Sequence, residues 1–88
     1  MVLESDDIIA FVSTTDLARA RRFHERTLGL RFIEQSEVAC VIDANGTMLR
    51  ITAVPEVAHA GYTVLGWTVA DIELAARTLA DNGVRCTR

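Results

Sequence analysis

The chain states one pattern twice and stops part-way through the second statement. An apolar run ending at Asp16 leads into Leu17-Ala18-Arg19-Ala20-Arg21-Arg22 and leaves through Leu28-Gly29-Leu30-Arg31. A second apolar run ending at Asp71 leads into Ile72-Glu73-Leu74-Ala75-Ala76-Arg77 and leaves through Gly83-Val84-Arg85. A repeat restricts the architecture before any local propensity is weighed, because each copy folds into the same unit and buries its apolar face against a neighbour. Three strand-like segments follow the first exit, whereas only Cys86, Thr87 and Arg88 follow the second.

Ile8 to Ser13 is rich in β-branched and aromatic residues and runs into Thr14-Thr15-Asp16, which predicts a strand handing over to a helix N-cap. From Leu17 the helical period gathers Leu17, Ala20, Phe23, His24, Thr27 and Leu28 on one face and Arg19, Arg22, Glu25 and Arg26 on the other. Gly29 supplies the left-handed stop. Leu30 to Gln35, Val38 to Ile42 and Thr47 to Val54 read as strands, the last two joined by the hairpin signal Asp43-Ala44-Asn45-Gly46. Pro55 closes this unit. Tyr62 to Val69 reads as a further strand before the cap at Asp71, and the helix after it places Ile72, Ala75, Ala76 and Leu79 on one side. The expected fold class is α+β within one domain spanning 1–88: a βαβββ module over 8–55, a linker over 56–61 and an incomplete βα module over 62–88.

This order, with Val12-Ser13-Thr14-Thr15-Asp16-Leu17 ahead of Arg22-Phe23-His24-Glu25-Arg26-Thr27-Leu28-Gly29-Leu30, resembles the glyoxalase / bleomycin-resistance / extradiol-dioxygenase superfamily, the vicinal oxygen chelate proteins. Gly66-Trp67-Thr68-Val69-Ala70-Asp71-Ile72 and Asn82-Gly83-Val84 resemble its second module. The resemblance implies a curled mixed sheet in which two βαβββ modules enclose a cleft for substrate and often a divalent metal. It also places metal ligands on the first and last strands of each module, at positions that here hold Ile9, Arg50 and Val64. None of these can bind a metal. Of the same-face neighbours one pleat away, Asp7, Phe11, Met48, Thr52, Tyr62 and Gly66, only Asp7 is a plausible ligand, and one carboxylate does not hold a catalytic ion.

The expected cleft residues are therefore Ile9, Phe11, Met48, Arg50, Tyr62 and Val64, which suit a flat or aromatic organic molecule. Arg50 either fixes a carboxylate or phosphate, if its face is concave, or forms a salt bridge on the outside. Alternation along 62–69 sets Tyr62, Val64 and Gly66 apart from Leu65 and Trp67. His24 stands where the superfamily carries a packing aromatic, so it reads as a core residue, with general-base chemistry as its second reading. His59 reads as an exposed linker residue. The expected function is metal-independent binding of a small organic molecule, with no cofactor. A metal-dependent lyase, isomerase or dioxygenase, a metal-free enzyme using His24 or Asp7, and a ligand-free interaction module stand as alternatives.

Composition narrows the partners. A formal charge of −3 argues against a nucleic-acid binder, whose phosphate contacts need a basic face, and no eighteen apolar residues run together to span a membrane. An acidic N-terminus, Glu4-Ser5-Asp6-Asp7, is unlike a signal peptide, and Cys40 and Cys86 lack Cys-x-x-Cys spacing, so a cytoplasmic protein with free thiols is expected. Strands absent after Arg85 would leave inward apolar side chains uncovered. Three sources of cover are expected: further residues of a longer polypeptide, a homodimer with exchanged modules, or a degenerate single-module design.

Overall fold

The computed structural model describes residues 3–58, 61–62 and 64–84. It divides into two compact units, Met1–Val57 and Ala58–Arg88. The first holds β1 (Ile9–Thr14), α1 (Leu17–Arg22), β2 (Arg31–Gln35), β3 (Ala39–Ala44) and β4 (Thr47–Ala53), and the second holds α2 (Ile72–Asp81). His59, Cys86 and Thr63 lie outside the described residues.

The four strands form one mixed sheet in the order β1-β4-β3-β2. The helical crossover delivers β2 to the far edge, and two antiparallel turns walk the chain back until β4 runs parallel to β1. The β3-β4 hairpin turns at Asn45, which takes a positive φ of 52°, while the Asp43 carboxylate accepts the Gly46 amide at 2.7 Å. β2 carries an irregularity between Phe32 and Glu34, so Ile33 has no partner in the register and is exposed.

Alternation assigns one face of this sheet to the core. Cys40 pairs with Ile51 and Ile42 with Leu49, and these four side chains are the most completely buried of the chain. α1 packs against β3 and β4. At the edge of the same face, Arg21 lies over the Phe32 ring at 3.6 Å and holds Glu25 through Nε–H at 3.3 Å. Burial pushes the Cys40 thiol above its ordinary pKa of 9.0; the Arg21 charge opposes the shift and Glu25 adds to it.

The two copies of the repeat start their helices alike. Asp16 is extended at φ −142° and ψ 96° and accepts the Arg19 amide at 3.0 Å. Asp71 sits at φ −139° and ψ 102° and accepts the Leu74 amide at 3.0 Å. Each carboxylate satisfies an amide that the helix itself leaves free. The exits differ. α2 ends in a Schellman turn, with Gly83 at φ 88°, Val84 N–H donating to the Leu79 carbonyl at 2.8 Å and Gly83 N–H to Ala80 at 3.0 Å. α1 instead widens into a π-helical turn over Phe23–Thr27, closed by the Leu28 amide on the Phe23 carbonyl at 2.9 Å, before Gly29 at φ 72° stops it.

Four expectations are corrected. The helix expected from Leu17 to Leu28 is regular only to Arg22, because the π turn admits an extra residue per turn and shifts the face that follows. His24 stays buried, while Phe23, expected on the same inward face, is exposed by a little over two fifths of its surface. The strand expected over Tyr62 to Val69 does not form among the described residues, since an extended segment becomes a strand only when a ladder satisfies its backbone. In α2, Ala75, Ala76 and Leu79 are half-buried as expected, but Ile72 is 71% exposed and no residue of this helix is buried.

Candidate ligand-binding face

The sheet face opposite α1 is assembled by register. Phe11 of β1 lies beside Arg50 of β4, which lies beside Val41 of β3 and then Glu34 of β2. One rung along, Ile9 lies beside Met48, Asp43 and Arg31; on the other side Ser13 lies beside Thr52 and Ala39. Neighbours within a rung are about 4.8 Å apart and successive same-face residues about 7 Å apart, so Ile9, Phe11, Met48 and Arg50 fall within the span of one aromatic ligand.

Four of the six expected cleft residues are thereby brought together. Phe11 is 67% exposed, Ile9 48% and Met48 43%, an apolar group facing water on the side that α1 leaves open. Small Val41 and Ala39 form a buried floor beside them. Arg50 is exposed in the middle of this group, and among the described residues no hydrogen bond or ion pair engages its guanidinium. The outside salt bridge considered for it is therefore not formed among those residues. Tyr62 and Val64 belong to the second unit, where both are exposed and neither lies in a strand. Asp7 precedes β1 and is exposed.

Sequence reasoning missed Val41, Ala39 and Glu34 as members of this face, because their places follow from the β2-β3 and β3-β4 registers rather than from any pattern local to them. Alternation within β3, counted back from the Asn45 turn, is the signal that could have found Val41 and Ala39.

The sequence profile of the Glyoxalase/Bleomycin resistance protein/Dioxygenase superfamily matches residues 7–88. The chain belongs to this superfamily. Its fold is also that of a solved glyoxalase/bleomycin resistance protein/dioxygenase from Alicyclobacillus acidocaldarius, with a TM-score of 0.70 at 20% identity, covering 96% of this chain and 68% of that one. No functionally curated protein matches the chain.

As a glyoxalase/bleomycin-resistance relative, the chain invites a test for a divalent metal, and the residues at the three ligand positions that the resemblance implies do not fit one. Ile9 and Val64 have no ligating atom, and Arg50 offers only donors and a positive charge. Among the described residues no three His, Cys, Asp or Glu side chains come together as a metal would require. Among those residues, too, no helix is long and apolar enough to cross a membrane.

Proposed function

We propose that this superfamily member binds a small, flat organic anion on the open sheet face, without a metal, in a cleft completed by a second copy of the chain. The observation that carries the reading is the grouping of exposed Ile9, Phe11 and Met48 around an exposed and unengaged Arg50. Apolar walls remove the ring of a ligand from water, and a guanidinium meets a carboxylate with two parallel hydrogen bonds. The same apolar residues explain the second copy: a sheet face of this character is seldom left to solvent, and a partner covers ligand and face together.

Calorimetric titration of the chelator-treated chain with benzoate as the probe tests the reading, alongside Arg50→Gln. Binding retained in chelator and weakened roughly tenfold or more by Arg50→Gln is expected, from the loss of a charge-assisted pair. Binding that needs added metal, or that ignores Arg50→Gln, refutes the proposal.

A further inference from the structure

A groove on the other face of the sheet is not used by this reading. It runs between β1 and the helical segment, has a volume of about 320 Å³ and is lined by apolar Val12, Ala20, Phe23 and Ile51 and by charged Asp16 and Arg19. That size lies within the range of small-molecule pockets. His24 also lines it.

His24 is nine-tenths buried, at 9% exposure, and its Nδ1 lies 2.8 Å from the Ala20 carbonyl oxygen. A carbonyl only accepts, so Nδ1 carries the hydrogen and the neutral ring keeps its lone pair on Nε2. No described group bonds to Nε2, yet no buried side-chain nitrogen of the described residues lacks a partner. Nε2 therefore reaches open space, and the groove is the space that His24 lines. The π-helical turn that begins at Phe23 fixes this arrangement and sets the Phe23 and His24 rings edge to face, with centroids 5.4 Å apart and planes at 81°.

We propose that this groove is a second binding site, for a small neutral phenol whose hydroxyl donates to His24 Nε2 and whose ring lies against Phe23, Val12 and Ile51. Within this lining Val12, Phe23 and Ile51 give an aromatic ring apolar contacts, and His24 Nε2 gives its hydroxyl an acceptor. Asp16 and Arg19, of opposite charge, both line the groove, which separates this site in chemistry from the Arg50 face.

The test is a titration of the full 88-residue chain with 4-methylphenol and with 4-methylanisole, which has nearly the same shape but no donor. It is followed by the ¹⁵N signal of the His24 ring and by backbone amide shifts. The phenol is expected to bind with a dissociation constant on the order of 1 mM, roughly fivefold tighter than the anisole. It should move the His24 Nε2 signal and the amides around Phe23. Ala20→Leu, which fills the groove with a good helix former, should abolish these shifts. Equal affinity for the two probes, an unmoved Nε2 signal, or shifts centred on Phe11 and Arg50 would each overturn the proposal. Should Ala20→Leu fail to fold, the two-probe comparison on the unmodified chain still decides it.

Discussion

Replacing Phe11 by Ala separates a side chain that holds the chain together from one that waits for cover. The ring offers about 200 Å², and at 67% exposure some two thirds of that area faces water in the single chain. Covering it is worth about 3 kcal/mol at roughly 25 cal/mol per Å². The third already shielded is worth about 1.5 kcal/mol on the same scale. Urea unfolding at low protein concentration should therefore show a modest loss, near the smaller figure. Association should suffer more. Area converts incompletely to affinity, yet half of the larger figure still weakens the dissociation constant of the proposed dimer roughly tenfold for each chain that loses its ring. Sedimentation velocity across a concentration series reads the second effect, and the concentration dependence of the unfolding midpoint reads it independently. A stability loss well above about 3 kcal/mol with unchanged association would show that Phe11 is core, and would refute the assignment of its face.

Three further outcomes follow from the geometry. Ile51→Ala, at a side chain with no exposure, should cost about 2 to 5 kcal/mol in urea unfolding; a cost below about 1 kcal/mol would contradict its place in the core. Asp16→Ala and Asp71→Ala remove geometrically matched caps, each worth about 1 kcal/mol. Hydrogen exchange should show the first spread over the sheet that α1 covers and the second confined to α2, which has no fully buried residue; identical exchange profiles would contradict this. Burial raises the Cys40 thiol above its ordinary pKa of 9.0, so the stability that goes with the neutral thiol is fully present below that unfolded-state value and is lost as pH rises from it through the folded one. In a Cys86→Ser background the unfolding free energy should fall above about pH 9. Cys40→Ala should flatten that decline, and an unchanged decline would clear Cys40 of it.

The parts of the fold that were legible in the sequence are those set by neighbouring residues. Both aspartate caps, both glycine stops, the Asn45-Gly46 turn and the four strands of the first unit follow from local chemistry and periodicity. The family resemblance implies Ile9 and Arg50 as ligand positions, and alternation along β1 and β4 adds Phe11 and Met48 to the same group. What escaped depends on partners distant in sequence or on backbone detail. The segment 62–69 has the composition of a strand, but composition supplies no ladder. The π turn at Phe23 hinges on a single extra residue that a 3.6-residue period does not register, and with it went the groove that His24 lines.

The sheet face opposite α1 is proposed to bind ligand without a metal. Amide and methyl chemical shifts followed during a benzoate titration in excess chelator test it most directly. The largest changes are predicted at Ile9, Phe11, Met48 and Arg50, with the buried Ile42, Leu49 and Ile51 nearly still. Changes that are absent until a divalent metal is added, or that centre on residues of the helix-covered face, would contradict the account.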